Sequence, residues 1–278
     1  MNGTSYEDAL AKVPAVTLGF WIIKILATTL GETAGDSVSM SWLGETTSEA
    51  TGWGYLIGTG IFLVPLVLLI LAQIRARHFN PWLYWATIIA STTAGTTLAD
   101  FFTRTLFTKI GQVDQATSYL LGSLALFACV IGTLVAWKRT LGTVSVTSVS
   151  EPRAESFYWI TITFSQTLGT ALGDWTADNF GDATFMGLES GYVLGALVFV
   201  AALAAVAALY RLTSISRTGL FWTAFILTRP LGATVGDFLD KPIDKGGLDF
   251  SRPAATLILL LAIGILIAAV PQRAGKAH

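Results

Sequence analysis

The chain has 278 residues, 53% of them hydrophobic and only 13% charged, with a formal net charge of −1. A soluble domain carries about 25% charged residues, so this chain cannot cover a water-facing surface, and its mean hydropathy of +0.63 points to an integral membrane protein. The charge balance gives no support for a nucleic-acid partner, and the lone Cys129 with only His78 and His278 leaves no disulfide frame, no thiolate site and no imidazole-rich cofactor site.

Residues 1–13 are polar and no cleavable signal pattern follows them. Eight apolar segments come next, each near the ~20 residues that a bilayer crossing needs. They cover 14–36, 53–75, 81–103, 117–137, 157–178, 191–211, 219–239 and 254–271. The expected fold is all-α and integral to the membrane, with eight transmembrane helices. The segments pair into four repeats, 14–75, 81–137, 157–211 and 219–271, in one membrane domain spanning 1–278. The stretch 138–156, which contains TVSVTSVSEPRAE, reads as a linker between two halves. Three of the even segments open with Tyr-x-x-Gly, at Tyr55, Tyr119 and Tyr192.

The odd segments carry the repeated motif: TTLGETAGD at 28–36, TTAGTTLAD at 92–100, QTLGTALGD at 166–174 and RPLGATVGD at 229–237. A tryptophan stands ten residues before each central glycine (Trp21, Trp85, Trp159, Trp222), and an aspartate five after it (Asp36, Asp100, Asp174, Asp237). A repeat of two helices keeps its orientation, so the repeats are parallel and both termini lie on one side. Ten basic residues, from Lys12 to Lys276, fall on that side and five on the other, which makes the termini cytoplasmic.

On a helix, Gly31/Gly35, Gly95/Ala99, Gly169/Gly173 and Gly232/Gly236 form small-xxx-small faces that let membrane helices approach closely. Beside each face runs a polar stripe: Thr28, Glu32, Asp36; Thr92, Thr96, Asp100; Gln166, Thr170, Asp174; Arg229, Ala233, Asp237. Packing by the small faces would bring the stripes toward a shared interior. The tryptophans read as belt residues near the cytoplasmic interface, or else as the walls of a binding cavity.

An acid at the bilayer centre costs about 2.5–3.5 kcal/mol even on the lower insertion scales, so such residues face a cavity or one another. Five carboxylates against two bases, Lys24 and Arg229, leave a formal −3 in one interior. Such a cluster needs protons or a bound cation. Its ligands, Asp36, Asp100, Asp174, Asp237, Glu32, Thr28 and Gln166, are oxygen donors suited to hard cations. Glu32, Asp36 and Asp174 form the expected metal-binding set, with Lys24 and Arg229 as counter-ions. Pro230 beside Gly232 is expected to break its helix and expose carbonyls. Arg104, Asp178 and Lys241, one turn beyond their aspartates, read as solvated ends rather than as a vestibule.

On these residues, and over nearly its whole length, the chain resembles a family of bacterial membrane-anchored proteins. That family is made of four tandem repeats, each with two predicted transmembrane regions and a characteristic tryptophan, and is known as a repeat of unknown function. The resemblance implies eight spans and a bacterial inner membrane, but no substrate. The acids and small residues are also loosely similar to manganese and calcium exporters with a Glu-x-Gly-Asp signature. Here the spacing from Glu32 to Gly35-Asp36 differs, and repeats two to four have no Glu.

The expected function is secondary transport of inorganic cations: export of a divalent metal such as Mn²⁺, Ca²⁺ or Mg²⁺, coupled to protons. The partners are then the lipid bilayer, the cation and protons. Two rivals remain: an exporter of lipophilic organic cations held by carboxylates and aromatic rings, and a non-transporting scaffold or sensor whose acids only pair with Lys24 and Arg229. No nucleophile–base pair, P-loop or dinucleotide fingerprint supports an enzyme.

Overall fold

The computed structural model describes residues 11–181, 184–185 and 188–275. The terminal residues 1–10 and 276–278, to which the cytoplasmic assignment of the ends refers, lie outside the described residues. The chain is all-α. The eight α-helices among the described residues are α1 (Leu18–Asp36), α2 (Trp53–Arg75), α3 (Pro81–Asp100), α4 (Gln115–Leu141), α5 (Pro152–Asn179), α6 (Gly191–Leu212), α7 (Arg217–Asp240) and α8 (Arg252–Ala269). The one sheet among the described residues is a pair of two-residue strands, Thr184–Phe185 and Leu188–Glu189.

Local chemistry sets the helix ends. Thr17, Asn80, Asp114, Ser190 and Ser216 each accept a hydrogen bond from a backbone N–H of the first turn they cap. Pro81 and Pro152 stand where a missing N–H costs nothing. Gly142, in the left-handed region at φ 77°, ends α4. Beyond Asp36 and Asp100 the chain does not stop but widens into π-helical turns, Ser37–Trp42 and Phe101–Ile110. Such turns are frequent at functional sites.

The odd helices form a closed ring. α1 packs on α3, α3 on α5, α5 on α7, and α7 back on α1. The bare glycines allow this close approach. A Cβ on Gly31 would strike Thr92, one on Gly95 would strike the backbone of Gln166, one on Gly169 would strike Arg229, and one on Gly232 would strike Thr28. The same relation recurs at all four interfaces: the central glycine of one repeat receives the residue three before the central glycine of the next. The ring therefore has pseudo-fourfold order.

The second small residue of each motif extends the contact by one turn. A Cβ on Gly35 would lie 2.8 Å from Thr96, one on Gly173 would lie 3.0 Å from the Cβ of Ala233, and one on Gly236 would lie 2.7 Å from the Cβ of Glu32. Here each glycine receives the residue one after the central glycine of the next repeat. Gly173 and Gly236 thus pack helices as expected, but the small faces do not merely run beside the polar stripes. Seven of the eight stripe residues at these two levels seat their stems in a glycine notch of the neighbouring helix, Thr170 facing Ala99 instead, so Gly236 fixes the backbone end of Glu32 and Gly173 that of Ala233.

The even helices form an outer layer, each displaced by one repeat. α2 packs on α3, α4 on α5, α6 on α7, and α8 returns to α1. A strand-like bridge closes the ring: Pro14 pairs with Ala274, Ala15 N–H donates to Arg273 O at 2.8 Å, and Gly275 N–H to Val13 O at 2.8 Å. The outer helices turn leucine, isoleucine, valine and phenylalanine outward, as at Ile61, Val64, Leu68, Phe127, Leu260 and Leu261. These four helices are long and apolar enough to cross a membrane. The inner four carry the acids and threonines and are shielded behind them.

The segment between α4 and α5, read from the sequence as a linker between halves, packs on the core. Val146 and Val149 are buried in the core, Val149 O accepts from Lys12 N–H, and Val144 O accepts from Trp222 Nε1–H at 2.9 Å. The ring also passes from α3 to α5 as it does elsewhere, so no boundary divides the molecule. Three of the four motif tryptophans are buried inside the protein and do not form an exposed belt. Trp85, Trp159 and Trp222 are 0%, 2% and 4% exposed, and Trp21 is half-buried. They pack with Phe20, Tyr84, Tyr158, Phe221 and Phe225 in one aromatic core. A buried indole needs a partner for its N–H, and the connecting segment and Gln272 provide it for Trp222 and Trp85.

Candidate functional site

Steps of four residues along each inner helix mark layers around the ring axis, because i and i+4 share a helix face. The lowest layer is aromatic: Phe20, Tyr84, Tyr158 and Phe221. The Tyr84 and Tyr158 hydroxyls bond at 2.6 Å, and the Phe20 and Phe221 rings lie 6.3 Å apart. This layer closes the axis at the end where the chain termini meet.

One layer up stand Lys24, Ile88, Ile162 and Phe225, all fully buried. Lys24 Nζ lies 4.2 Å from the centre of the Phe225 ring and has no hydrogen-bond partner. Among the described residues it pairs with no acid. Two turns of helix separate it from Glu32.

The next layer holds Thr28, Thr92, Gln166 and Arg229. Thr28 donates to the carbonyls of Ile25 and Thr228, at 2.8 and 3.1 Å, and is not turned toward the acids. Neither side-chain atom of Gln166 has a partner. Both residues therefore sit below the carboxylates instead of among them. Pro230 does not interrupt α7, which runs unbroken from Arg217 to Asp240.

At mid-axis Arg229 reaches up into the layer of Glu32, Thr96, Thr170 and Ala233. Its Nη1 donates to Glu32 Oε2 at 2.9 Å, and its Nη2 to the hydroxyls of Thr96, at 2.6 Å, and Thr170. Arg229 is 0% exposed and Glu32 2%. The small Ala233 leaves room for the guanidinium, which plugs the axis. Arg229 is thus paired with Glu32.

Above the plug come the four aspartates, and two cations from the following layer descend onto them. Arg104 Nε donates to Asp100 Oδ1 at 2.6 Å and its Nη2 to Asp174 Oδ2 at 3.2 Å. Lys241 Nζ pairs with Asp36 Oδ2, with Asp237 Oδ1 at 2.8 Å and more loosely with Asp240 at 3.8 Å. Neither cation is the solvated end expected from the sequence. Three bases, Arg104, Arg229 and Lys241, thus pair with the five acids and leave a formal −2 among them, while Lys24 lies apart. The readable signal was the Asp-to-Arg and Asp-to-Lys spacing of four, at 100/104 and 237/241.

Burial opposes the charge of Lys241, which lies beyond the end of α7, but Asp237, Asp36 and Asp240 outweigh it and hold its pKa well above the ordinary lysine range. Among the described residues, Glu32, Asp36 and Asp237 each offer one carboxylate oxygen within 4.8 Å of the others. Asp237 replaces the expected Asp174, which is drawn away by Arg104. Asp36 Oδ1 is buried and has no partner.

A cavity of about 930 Å³ opens over this arrangement. Arg104, Asp174 and Lys241 line it, and Tyr55, Tyr119 and Tyr192 of the outer helices belong to its wall. It touches Asp174 but not Asp36, which is fully buried beside Lys241.

A protein-family model described as a repeat of unknown function (DUF347) matches residues 19–79, 83–143, 157–216 and 220–271. No curated protein and no solved structure matches the chain.

Proposed function

We propose that this chain, which belongs to the DUF347 repeat family, is a secondary transporter that exports divalent inorganic cations in exchange for protons. One observation carries the reading. Glu32, Asp36 and Asp237 offer carboxylate oxygens within 4.8 Å of one another, beside a polar cavity. Hard divalent cations take such oxygens. Clustered carboxylates that lose a cation must take up protons or another positive charge, which gives a route to exchange.

The proposed setting is the bacterial inner membrane, with all eight helices spanning it. The helices have 18 to 28 residues, none below the roughly 17–25 residues of a bilayer span, and the shortest rises about 27 Å. Four apolar helices around four polar ones give such a bundle a lipid-compatible outside. The meeting of residues 13–15 with 273–275 supports both ends lying on one side, and the excess of basic residues there supports the cytoplasm.

In this reading the molecule is open outward and closed inward. The cavity reaches the aspartates from one end, while the Arg229–Glu32 plug and the aromatic layer bar the other. Transport would need the plug and the Tyr84–Tyr158 contact to part in alternation with the outer opening.

Proteoliposomes loaded with a Mn²⁺-quenched dye and given a pH gradient provide the test. Mn²⁺ flux that collapses in Asp36→Asn and Asp237→Asn is the expected result. No flux of Mn²⁺, Ca²⁺ or Mg²⁺ under any gradient would end the proposal.

A second reading, export of lipophilic organic cations, is favoured by the three tyrosines in the cavity wall. It requires dye efflux that drops in Tyr119→Ala and is indifferent to Mn²⁺.

A further inference from the structure

Lys241 is the residue that the cation site does not obviously need. It sits between the cavity and the buried acids, in contact with Asp36 and Asp237 and lining the cavity itself. Any cation entering from the cavity meets its ammonium first. We propose that Lys241 is a tethered substitute for the transported cation: its ammonium fills the Asp36–Asp237 pair when no metal is bound, and a divalent ion displaces it into the cavity. This inference rests on the cation-carrier reading and gives it an outer gate.

The backbone allows the movement. Lys241 follows the last helical residue of α7, and its own conformation is extended, at φ −76° and ψ 152°. Rotation of the side chain would not unwind a helix. Its exit is also polar: Asp178, Asp240 and Asp249 line the same cavity, so the displaced ammonium stays solvated and near acids.

Charge selects the valence. Counted formally, Glu32, Asp36 and Asp237 bring three negative charges, and Arg229 cancels one through Glu32. With Lys241 in place the group is left at −1. With a divalent ion in place of Lys241 it is neutral, and a monovalent ion would gain nothing over the ammonium it replaces. Asp36 Oδ1, buried and unpartnered, is an oxygen that the ammonium leaves unused and a metal with several ligands can take.

Arg104 makes the contrast. It bridges Asp100 and Asp174 through two nitrogens, and its guanidinium lies 5.6 Å from the centre of the Tyr119 ring. A planar fork fixed at three places is a poor candidate for exchange, whereas a compact ammonium on a flexible stem is a good one.

The test is Mn²⁺ binding by the purified full-length protein, followed through the electron paramagnetic resonance signal of free Mn²⁺. Lys241→Gln should bind Mn²⁺ at least tenfold more tightly than the unaltered protein, and Asp36→Asn should lose binding in both backgrounds. A second measurement needs no variant. Mn²⁺ should increase acetylation of Lys241 by a water-soluble reagent, with the exposed Lys245 as internal reference. Binding that depends on Asp36 but is not tightened by Lys241→Gln, or labelling of Lys241 that Mn²⁺ leaves unchanged, would overturn the tether and leave the cation site standing. Absence of Asp36-dependent binding in every variant would remove both.

Discussion

Arg104 and Lys241 occupy equivalent places in the second and fourth repeats and follow one rule. Each pairs with the aspartate four residues earlier in its own repeat and with the aspartate of the next repeat around the ring. Met40 and Asp178 hold the corresponding places in repeats one and three. Two cations therefore staple four helices in pairs, α3 to α5 and α7 to α1, and reduce the fourfold ring to twofold chemistry.

Arg104→Met should be strongly destabilising, because it leaves Asp100 and Asp174 buried without a partner. Breaking a buried pair from one side costs about 3–5 kcal/mol. Unfolding of the protein in nanodiscs should show a loss of that order, and the triple variant Arg104→Met, Asp100→Asn, Asp174→Asn should recover most of it. Recovery absent in the triple variant would mean that Arg104 acts through packing.

Glu32→Gln should cost a similar amount, since Arg229 is wholly buried and Glu32 is its one acidic partner. Adding Arg229→Met should restore stability but not transport. Thermal melting and Mn²⁺ flux measured on the same preparations separate the two effects.

Lys24→Met should be neutral or stabilising. The amine makes no hydrogen bond and no ion pair, and an unsatisfied buried polar group costs about 1–3 kcal/mol. A rise in melting temperature is the expected result. A fall greater than that seen for Ile88→Met would show that the amine has a partner.

Gly95→Ala should disrupt the ring, for its Cβ would lie 3.0 Å from the backbone of Gln166 and Thr167, which cannot move aside without shifting α5. Gly60→Ala, in α2 with open space around it, should be neutral or gain up to about 1 kcal/mol of helix propensity. Size-exclusion profiles and melting curves should show a loss for Gly95→Ala and none for Gly60→Ala.

Much of this arrangement is legible in the sequence. The period of the motif marks the repeats, and the stripe of Thr28, Glu32 and Asp36 beside Gly31 marks the face that turns inward, because a small-residue face and an acid both exclude lipid. What the sequence conceals is reach. Arg229 belongs to one layer by its Cα and acts in the layer above through a long side chain, and Arg104 and Lys241 likewise reach back onto the aspartates. A helical wheel records where a residue starts and not where its charge ends, so it overcounts the unpaired acids. The tryptophans mislead for a related reason. An indole suits an interface with lipid, but it suits equally well a core that offers its N–H a carbonyl, and spacing alone does not tell the two apart.

The displacement of each outer helix onto the following repeat, with α8 returning to α1, has a consequence for ancestry and for engineering. No two-helix unit is complete alone, yet every unit offers its neighbour the same socket, so four separate copies of one such hairpin would satisfy the same contacts. A gene for a small homotetramer, fused end to end and later allowed to diverge, would yield this molecule. The point where the chain is cut is then a historical accident: a permuted gene that joins the present ends and opens at the exposed Arg77–His78 turn should encode the same ring.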